Sequence, residues 1–371
     1  MPPVAVRILH PVADAASGSL GRWVEDARSR LAEHHRQGFL RAGADDVAIV
    51  TGPADGRSFG VRVRTLIGPG ARASRGGLVV LGSGSIPLAT AADRRAFVST
   101  ASRDGREALA NNAYSADIVA ISRVDTLPQI PELPGDNALP RWLDEVAGFR
   151  VADLRRRWRL AFDIDGPLDL VLLGPDSDAP VALEGVRSRL AAVRAIAADR
   201  RGEVLVSGRT SAATLAWLER HTAARTRAWV EERGLRAASV LAQGVDPATA
   251  PDRPVRGRPV RGPASILGTL LDRDGPASLG DHLARFADAA LVDTRVLLAH
   301  RSGTEESGWP PAEDRFASDL LLPERITDPW LRELTRSATN ASIPVLLGGH
   351  TLVGPGVRHV VDGPPAGVRW R

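Results

Sequence analysis

The opening stretch of this chain constrains its fold more than any other feature. VAVRIL (Val4–Leu9) is a short β-prone run, and a loop containing Gly and Ser follows it. Apolar residues at helical spacing, Trp23, Ala27, Leu31 and Phe39 among them, then run from about Leu20 to Ala42. Gly43 stops that helix and VAIV (Val47–Val50) supplies the next strand. Strand, helix, strand at this spacing predicts a parallel pair joined by a right-handed crossover, the unit from which doubly wound α/β domains are built.

The rhythm continues. Phe59 to Ile67 suits a short helix, and GGLVVLGSG (Gly76–Gly84) is a buried strand running into a small-residue turn. Ala89 to Ala101 reads as a helix capped by Thr90, and Ser115 to Arg123 as a strand. Trp142 to Arg157 is expected to be helical in two pieces. Leu160 to Ile164 is strand-like, and Pro167 can start a helix over Leu168–Leu173. With 371 residues the chain is long for one core, so a domain over 1–178 and a second α/β or mostly helical region over 179–371 are expected. In that second part Val181 to Arg200 predicts a helix, Glu203 to His221 a strand, turn and helix, and Thr222 to Arg233 another helix. Gly244 to Pro263, dense in Pro, Gly and Arg, is expected to be a loop. Further helices are expected from Ser265 and Leu279, a strand or a strand followed by a helix over Ala290–His300, a helix over Thr327–Thr339 and a strand over Ile343–Val353. The end of the chain suits an edge strand or a tail.

Composition removes whole classes of chemistry. Cysteine is absent, which excludes disulfides, thiolate nucleophiles and thiolate-bound metals. Lysine is absent too: all 48 basic residues are arginine, so no Walker-type lysine or Schiff base can form. The arginines are interspersed with 44 carboxylates, leaving a net charge of +4, and this argues against nucleic acid as a partner. No apolar run approaches the roughly 18 residues needed to cross a bilayer, and the start lacks a secretory pattern, so a cytoplasmic protein without a membrane partner is expected.

Four segments together carry a resemblance. VRILHPVADAASGSLGRW, RAGADDVAIVTG, GGLVVLGSGSIPLATAADRRAFV and FDIDGPLDLVLL, spread over Val4 to Leu173, resemble the nucleotidyltransferases of the molybdenum-cofactor guanylyltransferase and 2-phospho-L-lactate guanylyltransferase type. The resemblance implies a Rossmann-like, GT-A-like sheet that takes a nucleotide and a phosphorylated acceptor, uses magnesium, and releases pyrophosphate. It implies Asp165 as a metal ligand, with Asp163 beside it, in the segment matching the family's closing DxDTPEDL-like motif. Two stretches depart from the pattern. The first loop has His10 and Pro11 followed by small residues, and Gly82, Ser83, Gly84 and Ser85 stand where an Asp is expected. Hydroxyls replace anionic ligands poorly, so either another carboxylate completes the site or transfer has been lost.

Read as residues, these segments leave alternatives. Gly82–Ser85 offers backbone N–H groups and hydroxyls to a phosphate, or is an ordinary turn. Asn111 and Asn112 suit a base or sugar edge, or stop a helix; Asp117 can complete a metal site. Asp136 and Asn137 with Arg141 and Trp142 suit an acceptor lid, or an Asx turn beside a core tryptophan. Asp163 and Asp165 alternate along a strand and so face opposite ways unless it bends. Asp169 lies one helical turn beyond Asp165.

In the second part, Ser207 and Arg209 follow a strand and suit a phosphate. Asp293, Arg295 and His300 form a site or a salt-bridged helix face, and so do Glu313, Asp314, Arg315 and Asp319. His350 suits a general base or a capped histidine. GxSxG, HExxH and GxGxxG are all absent. The readings left open are a divergent nucleotidyltransferase with Asp165, Asp117 and Arg141 at its centre, a silent nucleotide or sugar-phosphate binder, and an unrelated phosphate-ester or sugar enzyme. The last would place its site between the halves, on Asp293, His300, Glu313 or His350. A homodimer is compatible with all three.

Overall fold

A computed structural model describes residues 2–12, 17–53, 59–66, 76–128, 130, 133, 138–174, 178–232 and 263–365. Asp136, Asn137 and most of the Gly244–Pro263 stretch lie outside the described residues.

Two sheets organise the chain. In the first, β1 (Val4–Val12) pairs in parallel with β2 (Asp46–Pro53) across the crossover helix α1 (Ser19–Arg41), and with β3 (Gly77–Gly82) on its other side. The short helix α2 (Phe59–Leu66) lies between β2 and β3 in the chain. α3 (Ala91–Ala101) follows β3, closed by a reciprocal cap: Thr90 Oγ1 accepts from Asp93 N, and Asp93 Oδ2 accepts from Thr90 N at 2.8 Å. β4 (Glu107–Ala110) pairs antiparallel with β5 (Ile118–Ile121), β5 pairs antiparallel with β3, and β6 (Arg150–Asp153) pairs in parallel with β4. The order is β2-β1-β3-β5-β4-β6. α4 (Leu139–Glu145) precedes β6, and α5 (Pro167–Leu173) leads out of this sheet.

The second sheet is entirely parallel. α6 (Glu184–Ala197) precedes β7 (Glu203–Gly208), α7 (Ala212–His221) and β8 (Arg225–Val230). After α8 (Ile266–Asp274) and α9 (Leu279–Ala284) come β9 (Ala289–Asp293), α10 (Thr294–Ser302), α11 (Ala312–Asp319), α12 (Pro329–Asn340) and β10 (Val345–Gly348). The short helices α13 (His350–Val353) and α14 (Val357–Asp362) follow. The order β10-β9-β7-β8 runs outward from β7 in both directions, so the chain switches sides between β7 and β9. The second part is therefore α/β.

Four expectations are corrected. Arg150–Asp153 is a strand: Gly148, at φ +70°, ends the helical segment, and the ladder to β4 then takes over. Arg225–Val230 is a strand because Thr222 is already extended and RTRAWV alternates between exposed and inward positions along β7. Leu160 lies in a single turn of tight helix, Trp158–Ala161, followed by one isolated bridge, Asp163 to Ser85. Val357–Asp362 is a helical turn that buries Val357, His359 and Val360. In each case a local run was too short for propensity to decide, and tertiary pairing or burial did.

One continuous core joins the two sheets. Leu20, Trp23, Val24, Ala27 and Leu31 of α1 and Leu168–Leu173 of α5 pack in the same buried cluster as Val204–Val206 of β7 and Val345–Leu347 of β10. Fully burying side chains such as Leu168 and Leu172 contributes roughly 1.5–3 kcal/mol each. Polar contacts reinforce the seam. Glu313 of α11 accepts from Leu20 N at 3.1 Å and Gly21 N at 3.0 Å, so a carboxylate from the second part caps α1. A Cβ on Gly18 would lie 2.2 Å from that carboxyl carbon, so glycine there lets Glu313 approach. The Arg358 guanidinium lies over both Trp158, at 4.6 Å, and Trp217, at 4.8 Å. No helix among the described residues is long and apolar enough to cross a membrane.

Candidate functional site

The segment Asp163–Gly166 is held by both halves of the chain. Ile164 N donates to Gly84 O at 3.0 Å, and Arg28 Nε of α1 donates to Ile164 O at 2.7 Å. From the second part, Thr351 Oγ1 donates to Asp163 O at 3.1 Å, and His350 Nδ1 lies 3.3 Å from Asp165 Oδ2. Arg28 Nη2 stands 3.7 Å from Asp165 Oδ1. Asp169 Oδ2 then accepts from the N–H groups of both Asp165 and Gly166 at 2.8 Å, closing the first turn of α5. The packing at Gly84 is close enough to require glycine: a Cβ there would sit 2.9 Å from Ile164 O, 3.0 Å from Arg28 Nε and 3.1 Å from Asp163 Oδ1.

This geometry answers the question of facing. The chain leaves strand conformation after the single bridge at Asp163, so the strict alternation expected of a strand does not apply to Asp163 and Asp165. Their carboxyls act on one another. Burial, then the charges of Asp165 and Asp117, push the Asp163 carboxyl well above its ordinary range, with Arg28 opposing. Asp165 goes the other way. Burial would raise it, but the hydrogen bond and charge of His350, with Arg28 and Arg209, outweigh burial and hold it well below the usual range. His350 answers in kind: burial would lower it, and the Asp165 hydrogen bond and charge raise it instead. The Asp165 side chain keeps 45% of its surface open to solvent. Asp169, 4% exposed, is raised to about 7 by burial and then by Asp165.

Two histidines brace the Gly82–Ser85 turn. His10 Nδ1 lies 3.0 Å from Ser83 Oγ, and its Nε2 lies 3.1 Å from Glu25 Oε1. His35 Nε2 donates to Ser85 O at 2.9 Å, and Arg94 Nη2 donates to His35 Nδ1 at 3.2 Å. The donor role of Arg94 fixes the tautomer and keeps the imidazole neutral. Burial, then the Arg94 charge, lower His35 to about 3. Ser83 and Ser85 are themselves buried, at 2% and 3% exposure. The next residue, Ile86, is fully buried at φ +48°. A β-branched side chain in the left-handed region costs on the order of 1–3 kcal/mol, so the surrounding packing is forcing this turn into shape.

The other expected residues separate into those that act on Asp165 and those that do not. Asn111 is committed to the protein: its Nδ2 donates to Asp117 Oδ2 at 2.7 Å and Leu160 O at 2.9 Å, and its Oδ1 accepts from Asp117 N at 3.0 Å. It is a strut for Asp117. Asn112 Oδ1 accepts from Tyr114 N in a local turn. Arg141 pairs with Glu145 one helical turn away and lies 5.4 Å from the centre of the Tyr114 ring.

In the second part Arg209 forks onto Asp293, with Nε to Oδ2 at 2.6 Å and Nη2 to Oδ1 at 3.1 Å. Arg295 forks onto the buried Asp319, with Nη2 to Oδ2 at 2.7 Å, directly beneath Gly166. His300 is bonded at both nitrogens, to Ser265 N at 3.0 Å and Asp272 Oδ2 at 2.9 Å, and so ties α8 to α10. Asp314 accepts from Thr327 N, Thr327 Oγ1 and Asp328 N. Ser207 is buried in β7. Asp293 and His300 therefore serve different partners, while Arg209 and His350 reach the Asp165 carboxylate electrostatically.

Sequence reading noted His10 only as a departure from the family's first loop, and passed over Glu25, Arg28, His35 and Arg94. A faint signal was present: Arg28 and His35 are two turns apart on α1, on the same side as buried apolar residues, where a solvated helix face would not place them.

Among the described residues, no three His, Asp or Glu side chains stand in a preformed metal cage. No protein-family model matches the chain, and no curated protein matches it. The fold and the site define an α/β protein of two sheets with a cluster of charged groups at their seam, in which Arg28, Arg209 and His350 act on the Asp165 carboxylate and Asp163 lies beside it.

Proposed function

We propose that this chain is a divergent nucleotidyltransferase, taking an NTP with magnesium at the carboxyl ends of the first sheet and transferring its nucleoside monophosphate to a phosphorylated acceptor. One observation carries the reading: Asp165 is held ionised by His350 and Arg28 while Asp163, beside it, is driven toward its protonated form by burial and then by the charges of Asp165 and Asp117. Carboxylates that crowd one another in this way are the oxygen donors a hard divalent cation takes, and such a cation would replace the proton on Asp163. Asp163, Asp165 and Asp117 would hold magnesium, which when bound neutralises charge on the phosphates.

The rest follows from the chain's own groups. Arg28, anchored on Ile164 O, stands where a lysine-free protein needs a phosphate partner. The Gly82–Ser85 turn, braced by His10 and His35, would position the backbone beside Asp163. The placement agrees with the rule that ligands of open α/β sheets sit beyond the carboxyl ends of the strands. In the reaction an acceptor phosphate oxygen attacks the α-phosphorus, forming a new P–O bond. The bond to the bridging α–β oxygen breaks, and its electron pair leaves with pyrophosphate. Arg28 and Arg209, both near enough to act on Asp165, would offset the charge that accumulates.

A second reading, nucleotide binding without turnover, is favoured by Ser83 and Ser85 standing where a carboxylate is expected. Calorimetric titration with ATP, GTP, CTP and UTP, with and without magnesium, separates the possibilities. The expected result is magnesium-dependent binding of one NTP, weakened by about 100-fold or more in Asp165→Ala. Binding without pyrophosphate release in the presence of phosphorylated acceptors would favour the silent binder. Absence of NTP binding with and without magnesium would overturn both.

A further inference from the structure

We propose that the second sheet carries its own site for a phosphate monoester, built from Arg209, Thr210 and His350, and that the acceptor enters there. The acceptor role rests on the nucleotidyl-transfer reading; the phosphate site stands without it.

Three observations support it, and Arg209 and His350 are near enough to act on each other and on Asp165 electrostatically. The first is topological: the strand order reverses between β7 and β9, and a crevice at such a switch point, beyond the strand ends, is where doubly wound sheets take ligands. Gly208–Thr210 leaves β7 at that point, and Asp293 ends β9 beside it. The second is the preparation of Arg209. Gly208 has φ +130°, and a Cβ there would lie 2.3 Å from Asp293 Cβ, so only glycine brings the β7 end against β9. Asp293, 1% exposed, then holds two nitrogens of the guanidinium, Nε and Nη2. The fork is fixed, and Nη1 has no acceptor among the described residues. Arg209 remains 23% exposed, so the fork leaves a fixed, partly open donor at the switch point.

The third is a pair of unused polar groups. Thr210 is 9% exposed and its Oγ1 is buried without a hydrogen-bond partner. A buried unpaired hydroxyl is costly unless something answers it. His350, at the end of β10, gives Nδ1 to Asp165 and has no protein partner at Nε2 among the described residues. The Arg209 guanidinium and the Thr210 hydroxyl can donate, and His350 Nε2 donates as well when the ring is protonated against Asp165; phosphate oxygens are acceptors that match all three. Asp165, bound to the other nitrogen of His350, repels such a ligand, which gives a weak site in the absence of magnesium and a stronger one with it.

Methyl phosphate tests this on the full-length chain, followed by calorimetry and by 31P line broadening, first in magnesium-free buffer and then with magnesium. The expected result is saturable binding in the millimolar range, tightened by magnesium, and weakened about tenfold or more by Arg209→Lys, which keeps the charge opposite Asp293 and loses the fork. Thr210→Val guards against a variant that simply misfolds. It removes a hydroxyl that no protein group uses, so its melting temperature should match or exceed that of the parent while methyl phosphate binding falls. Asp163→Asn should lose NTP binding and keep magnesium-free methyl phosphate binding, which separates this site from the nucleotide reading. No saturable binding by the parent chain, or undiminished binding by folded Arg209→Lys and Thr210→Val, would overturn the proposal.

Discussion

Asp163→Asn is expected to melt at a higher temperature than the parent protein and, in the same variant, to lose magnesium-dependent nucleotide binding. The two effects have one cause. Burial and the neighbouring charges of Asp165 and Asp117 disfavour the Asp163 carboxylate, so the folded chain holds a proton there that the unfolded chain releases. A carboxyl raised on folding makes stability fall as pH rises from the unfolded pKa, near 4, toward the folded value. Asparagine removes the ionisation and keeps an Oδ1 able to accept from Ile164 N, as Asp163 does at 2.9 Å. The gain should be about 1–3 kcal/mol, greatest near pH 8 and vanishing near pH 4. Differential scanning calorimetry at both pH values, paired with NTP titration, checks it. A variant that melts lower at pH 8 and binds nucleotide as the parent does would show that Asp163 is neither crowded nor used.

His35 supports a second large effect, of opposite sign in pH. Burial and Arg94 lower it to about 3, so between pH 6.5 and 3 the unfolded chain takes up a proton that the folded chain refuses. The stability this neutral histidine contributes is complete above pH 6.5 and is lost as pH falls, at about 1.4 kcal/mol per pH unit. Between pH 7 and pH 5 the loss from this residue alone is about 2 kcal/mol. His35→Gln keeps a donor for Ser85 O and an acceptor for Arg94 without a titrating group. Urea unfolding of both proteins at the two pH values should show the variant losing about 2 kcal/mol less than the parent on acidification. Equal losses would mean that His35 is accessible or already charged.

The parts of this molecule that could be read from sequence are those whose signal is local. The β1–α1–β2 unit announces itself through a strand, a long amphipathic helix and a second strand in succession, and the Gly82–Ser85 turn through small residues behind a buried run. DIDGPLD stood out because it packs three carboxylates around the start of a helix. SGRTS and GGHT stood out because they follow predicted strands, and both turn out to face Asp165 from the second sheet.

What could not be read depends on residues distant in the chain. The His10, Glu25 and Ser83 contacts join positions 15 and 73 residues apart, with no spacing that sequence periodicity could detect. β6 and β8 look helical or neutral until a neighbouring strand supplies their hydrogen bonds. His300 and Asp293 carry the spacing of a site, yet the Asp293 carboxylate holds Arg209 and the His300 ring binds α8. The cluster around Asp165 is itself a product of packing. α1 and α5 belong to one core with the second sheet, and this brings His350 onto Asp165 although 185 residues separate them in the chain.

The central claim is that Asp163, Asp165 and Asp117 form the metal end of a nucleotide site at the seam between the sheets. Crystals grown with manganese and a non-hydrolysable analogue of whichever NTP binds would locate the ion by its anomalous scattering. The account predicts manganese held by these carboxylates, with the triphosphate lying along Gly82–Ser85 and Arg28. An ion bound elsewhere, or a nucleotide seated away from this cluster, would contradict it.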